Sequence, residues 1–454
     1  MKKIIIVLLT FITISSGLHA QDADSVLTFK KAVQLALHNS NALNTERNNL
    51  IQSKVLRTTN LVGLGPQAEI NGSAYRSNGN SFIQQEGTVV NATVDGIQAS
   101  LNVRQPIFGG LSQLNYARGS KELLDAKLEQ VDRTQEDVIS TLATRYLQVL
   151  LDQELLKIAI ENAGAQRKQY EQTKAEVGVG SRSPVDEYNQ LALVSNADLR
   201  VTQAEYQLIS DRALLLQSLM VDPTTYTVVA EPSWDVNTLA IDNPDLQLLI
   251  AQATESRSDL KQVRHQEEAA RLTVNAVRGT YFPSLSAFYN NGSAFNQLKG
   301  ADKTAANYRS FDQQFLTDNR YNSYGLSLNI PILGGFQTRY RTVQNKVLYE
   351  NSKLITNTTE IQVKADVVRA YENFNNSKKA YSAGLTGLDA SKRAYELEQE
   401  RFNLGITTFV DFATANRTYV QAQTDMAQAK YRFLFQKIMM DYALGTLKPE
   451  SLPE

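Results

Sequence analysis

The chain repeats itself, and the repeat constrains the fold more than any other feature of it. At an interval of 217 residues, Leu43 matches Leu260 and Pro66 matches Pro283. At 225, Pro106-Ile107-Phe108-Gly109-Gly110 matches Pro331-Ile332-Leu333-Gly334-Gly335, and Tyr146 matches Tyr371. The same 225 pairs Gly180 with Gly405, Val185-Asp186 with Val410-Asp411, and Leu219 with Leu444. The interval grows by eight, from 217 to 225, only between the two prolines of each half. The eight extra residues therefore belong to a loop of the second half. The boundaries that follow are repeat 1 over 21–222, a linker over 223–244, repeat 2 over 245–447 and a short tail over 448–454.

Proline placement permits very long helices. None occurs between Pro106 and Pro184 or between Pro331 and Pro449, and proline is the residue a helix interior tolerates least. Helices over 111–178 and 336–403 would each run ~100 Å at 1.5 Å per residue. A seven-residue seam supports them: Val367, Phe374, Tyr381, Leu388, Tyr395 and Phe402, repeated as Leu142, Val149, Leu156, Ala163, Tyr170 and Val177. Such a seam signals a coiled coil, or one stripe of an ordinary bundle. Beside it the small Ala370, Ser377, Gly384 and Ser391 let a neighbouring helix approach closely.

Between the prolines the period changes to two. Ile97, Ala99, Leu101 and Val103 alternate with Gln98, Ser100, Asn102 and Arg104, and Tyr324, Leu326, Leu328 and Ile330 alternate with Gly325, Ser327 and Asn329. That pattern reads as strand. It predicts strands at about 66–76, 96–106, 283–293 and 321–331, with polar loops over 76–93 and roughly 290–320. Pro106 and Pro331 are expected to end strands, for want of a ladder donor. Gly109-Gly110 and Gly334-Gly335 are expected to make the bend into the long helix. Thr225-Tyr226-Thr227-Val228-Val229 in the linker suggests a short strand beside the helices.

The N-terminus reads as an export signal: Lys2 and Lys3, an apolar run Ile4 to Ile14, then Leu18-His19-Ala20 before a cut at Gln21. The apolar run is too short to span a bilayer as a helix. The chain has 46 basic and 47 acidic residues, and removing 1–20, with its two lysines and no acid, moves the balance from −1 to −3. That near-neutrality leaves no basic footprint for nucleic acid. With no cysteine there is no disulfide, thiolate metal site, cysteine nucleophile or lipid anchor on cysteine. His38 and His265, the histidines left after cleavage, each read as solvent-facing helix residues. Nothing resembles a catalytic constellation, so no cofactor, resident metal or enzymatic activity is expected.

No run of 18 apolar residues follows the signal, so a membrane crossing would have to be made by strands. Four strands cannot close a barrel, and open edges are not tolerated in lipid. Several chains must then share one barrel; the alternative is a soluble sheet with one face on a core.

In this duplicated order several segments resemble the TolC family of outer-membrane efflux channels. They are Leu27-Thr28-Phe29-Lys30-Lys31-Ala32-Val33-Gln34-Leu35-Ala36-Leu37, Tyr281-Phe282-Pro283-Ser284-Leu285, the two Pro-Ile-Phe/Leu-Gly-Gly junctions, Phe402-Asn403-Leu404-Gly405 and Ala443-Leu444-Gly445-Thr446-Leu447. The resemblance covers nearly all of the mature chain. It implies a mainly α fold with β: a homotrimeric 12-stranded transmembrane β-barrel continued by a periplasmic α-helical coiled-coil barrel. It further implies the outer membrane of a Gram-negative bacterium, and docking to a periplasmic adaptor and an inner-membrane pump of RND or ABC type. The function it implies is a passive exit duct for efflux or type I secretion. A non-conducting trimeric envelope protein is the alternative.

The resemblance also places a periplasmic gate at the helix tips. Asp186 and Asp411 fall where the family carries acids, Phe402 where it has a bonding tyrosine, Thr407 where it has an arginine, and Thr414 where it has a second aspartate. Phenylalanine has no hydroxyl and threonine no charge, so the family's lock is expected to be weaker here or replaced by other contacts. Ser183-Pro184-Val185-Asp186 and Thr408-Phe409-Val410-Asp411 also read as capping boxes with Asp in the acid position. Capping alone, and capping combined with an axial acidic ring, both fit. The repeats differ at the tip, with Val177 and Arg182 standing opposite Phe402 and Thr407.

Overall fold

The computed structural model describes residues 26–83, 87–226, 228–232, 245–300, 304, 308–334 and 336–449. The export signal, most of the linker, Gly335 and the last five residues lie outside this set.

Each repeat opens with a broken helix. In the first, α1 (Phe29–Asn39) and α2 (Asn41–Val62) are 11 and 22 residues long; in the second, α5 (Leu246–Ser256) and α6 (Ser258–Gly279) have the same two lengths. The breaks fall at Ser40 and Arg257, both in extended-side backbone, and Ser40 caps α2 by accepting from the Leu43 amide at 3.2 Å. Then comes a strand pair: β2 (Gln67–Ile83) with β3 (Thr88–Gly109), and later β5 (Ser284–Leu298) with β6 (Tyr321–Asn329). The repeat ends on a long helix and its antiparallel return. These are α3 (Ser112–Gly178) with α4 (Pro184–Ser218), and α8 (Gln337–Asn403) with α9 (Phe409–Leu444). The two long helices are 67 residues each, ~100 Å of axis.

The seven-residue seam faces inward in both copies. None of its twelve residues is exposed, and Val367, Phe374, Tyr395 and Phe402 are buried. Gly384 lets α9 come close, since a Cβ there would stand 3.1 Å from Met426 Sδ. The largest core lies where α1, α3, the end of α4, the last turns of α9 and the linker meet. Tyr146 is fully buried there. Its hydroxyl, set between the Leu27 carbonyl at 2.9 Å and the Ala230 carbonyl at 2.7 Å, has an oxygen of each backbone within hydrogen-bond reach. Those two segments form the parallel bridge of β1 (Val26–Leu27) with β4 (Val228–Val229), which includes the linker strand expected from sequence.

The four long strands form one antiparallel sheet in the order β2-β3-β5-β6. Three expectations are corrected here. Residues 76–93 are mostly strand, paired as far as Ile83 with Thr88: alternation weakens there, but Arg76 opposite Asp95, with Nε 2.6 Å from the carboxylate, keeps the ladder going. β5 likewise runs on to Leu298, into the segment expected as loop, because its far half pairs with β3 up to Val94. Pro106 does not end its strand either; β3 runs on to Gly109 through a bulge between Pro106 and Phe108, where a missing amide is absorbed without breaking the sheet. Pro331 does lie beyond the end of β6.

After β5 the chain makes a short turn of helix, α7 (Phe311–Gln313), continued by a π turn over Gln314–Asp318. This turn covers the edge of β5 that the shorter β6 leaves open. Gln314 Oε1 accepts from the Asn296 amide at 3.2 Å and Asn319 Nδ2 donates to the Ala294 carbonyl at 2.7 Å.

Candidate functional site: the helix tips and the sheet faces

At the far end from the strands each helix pair turns in the same way. Gly180 and Gly405 adopt φ of 76° and 71°, and the Ser181 and Ile406 amides donate back to the Glu176 and Arg401 carbonyls at 2.9 and 2.8 Å. This is a Schellman close, which needs a residue free to adopt left-handed backbone. The return helices start on Ser183 and Thr408, but their caps differ. Ser183 Oγ accepts from the Val185 amide at 3.2 Å, whereas Thr408 Oγ1 accepts from the Asp411 amide at 3.2 Å. Asp411 also accepts from the Thr408 hydroxyl at 2.7 Å and the Thr407 hydroxyl at 3.3 Å. The Thr408 hydroxyl bond is the main reason its carboxyl is held below the ordinary aspartate range, assisted by the Thr408 amide, Thr407 and the charge of Arg401. Asp411 is thus an exposed carboxylate held in its charged form, oriented chiefly by Thr408 with Thr407 as a second, longer partner. Asp186 is half-buried and Thr414 exposed.

Phe402 is buried at the centre of an aromatic cluster. It stacks on Phe412 at 4.8 Å and meets Phe409 edge-on at 6.2 Å, while Tyr395 stacks on Tyr419 at 5.3 Å. The open side of its ring is covered by Arg182, whose guanidinium lies 3.8 Å above it. Arg182 also donates to the Phe402 carbonyl through Nη2. Its Nε meets Glu176 Oε2 at 2.6 Å, leaving the side chain only 10% exposed. One arginine from the first repeat thereby clamps the end of the long helix of the second. Gln169 adds a bond to Asn403 at 3.2 Å. Arg182 was no gate candidate on sequence; the signal that marks it is the interval of 225, which sets it opposite Thr407.

At the first strand-to-helix junction the bend takes in the second glycine of the pair and the residue after it: Gly110 has φ of 62° and Leu111 61°. At the second junction Phe336, 225 residues on from Leu111, has φ of 58°, while neither Gly109 nor Gly334 has positive φ.

Directly opposed residues share a face of a sheet. Ala68, Ile70, Gly72 and Ala74 oppose Val103, Leu101, Ala99 and Ile97; on the far side Leu285, Ala287 and Tyr289 oppose Leu328, Leu326 and Tyr324. The alternate positions pair Glu69 with Asn102, Asn71 with Ser100, Ser73 with Gln98, Asn290 with Ser323, and Ser286 with Ser327. One face is apolar and open, with Ile70 82%, Tyr324 82% and Leu326 66% exposed. The other is polar. β2 and β6 each leave one edge unpaired within the chain. No described helix is long and apolar enough to cross a membrane.

A sheet with a lipid-suited face, a water-suited face and two free edges, standing on paired helices ~100 Å long, is the form of an outer-membrane channel subunit. The chain belongs to the outer membrane efflux protein family, whose profile matches residues 32–219 and 249–446, one stretch in each repeat. It is similar to outer membrane protein TolC of Vibrio cholerae, 24% identical over 79% of this chain and 78% of that one. It is also similar to TolC of Escherichia coli K12, at 23% over 85% and 76%. Among solved structures, VceC of Vibrio cholerae superposes with a TM-score of 0.79 at 13% identity, covering 92% of this chain and 96% of that one. CusC gives 0.78 at 16%, covering 92% of each. The chain is accordingly an outer-membrane efflux channel protein with a periplasmic helical domain, a transporter and not an enzyme.

Proposed function

We propose that three copies of the chain close a 12-stranded barrel and continue it as a helical duct, a passive exit that a periplasmic adaptor connects to an inner-membrane pump of RND or ABC type. The observation that carries this reading is the four-stranded sheet left open at both edges. In lipid those edges must be paired, and a further copy of the same sheet supplies the partner. The outer side of α8, with Tyr340, Val343, Leu354 and Ile361 all more than half exposed, is the natural seat for a neighbouring chain. Residues 1–20 serve as a signal removed before Gln21, and no lipid anchors the mature chain through cysteine.

The tip is the gate in this reading. Within one chain Arg182 holds the α8–α9 pair to the α3–α4 pair through the Phe402 ring and carbonyl, in place of the family's tyrosine bond. Asp411, and with it Asp186, would recur three times around the axis as an acidic ring.

Planar-bilayer recordings of the purified protein test both parts. Arg182→Gln is expected to raise the open-to-closed ratio by about tenfold or more, since the ring stacking and the carbonyl hydrogen bond that it removes are together worth ~2 kcal/mol. Asp411→Asn is expected to lower cation selectivity while leaving the open conductance nearly intact. An absence of any conductance in the native protein would favour the non-conducting envelope role.

A further inference from the structure

His265 is not the solvent-facing residue its sequence context suggests. Its Nδ1 lies 2.8 Å from Glu122 Oε2, and the ring is 35% exposed against 21% for the acid. Asp125, one turn further along α3, completes a group whose ligand atoms all lie within 4.8 Å of one another.

We propose that Glu122, Asp125 and His265 form a binding site for a divalent transition-metal ion of the zinc type. Glu122 and Asp125 are three apart on one helix and so project from the same face, and His265 meets them from α6. One imidazole and two carboxylates suit Zn²⁺ or Co²⁺; an oxygen-only set would suit calcium or magnesium, and thiolates are absent. Donors around such an ion stand ~3.3 Å apart at bond lengths near 2.0 Å, so side-chain rotation closes the site without moving the helices.

The two backbones are already fixed on either side of it. A Cβ at Gly119 would lie 3.6 Å from both the Ala269 carbonyl and Leu272 Cβ, and Gly110 and Gly279 touch at the ends of these elements. Lys121 is the competing cation, 3.7 Å from Asp125 and 57% exposed. A surface pair of that length contributes little and yields readily to a dication. The ion leaves a coordination position for water, and it joins the long helix of repeat 1 to repeat 2 about 15 Å below the sheet. Its effect would be to staple the neck of the molecule.

The test uses the full chain purified in detergent and stripped with a chelator. Calorimetric titration with Zn²⁺, and visible absorption with Co²⁺, should report one site per chain and a higher melting temperature with metal. His265→Gln, which keeps a hydrogen-bonding partner for Glu122, should weaken binding by at least about tenfold, as should Glu122→Gln, without changing the oligomer or the helix content. His38→Gln should bind as the native chain does. Equal binding by the His265→Gln and native proteins, or no binding at all, overturns the proposal and leaves a hydrogen bond between helices.

Discussion

Asp152 is a carboxyl in a place that disfavours its charge. It is 3% exposed on α3, takes one bond from Gln148 at 3.0 Å, and faces Asp211. Burial first, then the shared proton and repulsion of Asp211, push its pKa up to about 7. Between an unfolded value near 4 and that of the fold, the folded chain holds a proton the unfolded chain has released. Stability therefore falls as pH rises through this window and levels off above it. Asp152→Asn removes the fall: thermal unfolding followed by circular dichroism should match the native protein near pH 4 and give a higher melting temperature than the native protein at pH 8. Single residues of this kind were the least legible part of the sequence. Asp411 and Phe402 could be located because motif and interval point to them. Arg182 and His265 act through partners 220 and 143 positions away, and no local pattern announces such a pairing.

The elements were far more legible, because their signals are periodic and come twice. The seam that fixed the long helices is turned inward in both copies, with none of its residues exposed, and the matched 11- and 22-residue helices keep the interval of 217. Strand ends were read short where alternation lapses into Asn, Gly and Ser, since pairing there rests on cross-strand bonds and not on a buried face. The junctions show how little room the elements leave each other. A Cβ on Gly110 would come within 2.0 Å of the Gly279 carbonyl, in a backbone already at φ 62°, whereas Gly109 has open space around it. Gly110→Ala should therefore cost more than ~3 kcal/mol and Gly109→Ala less than ~1 kcal/mol, read as loss of folded protein in denaturant titrations.

At the scale of the whole molecule the proposed assembly turns on whether β2 of one copy meets β6 of the next. Ile70 on β2 and Leu326 on β6 lie on the same face but are separated by β3 and β5, at least ~14 Å apart at the usual strand spacing, beyond the reach of a disulfide. The native chain has no cysteine, so Ile70→Cys combined in turn with Tyr324→Cys, Leu326→Cys or Leu328→Cys makes a clean register scan. One pairing should yield covalent dimers and trimers on non-reducing gels; monomer throughout would mean that β2 and β6 do not meet between copies. The strands are also unequal in height. The β2–β3 ladder continues past Val94, where β3 leaves β5, up to Ile83 and Thr88, so each copy raises a two-stranded finger ~20 Å above the end of β5. In the trimer proposed above, three such fingers would crown the mouth on the side away from the helices. They contribute little to closing the barrel. Substitutions in the fingers should therefore leave the assembly intact where the same changes in the wall beneath would open it.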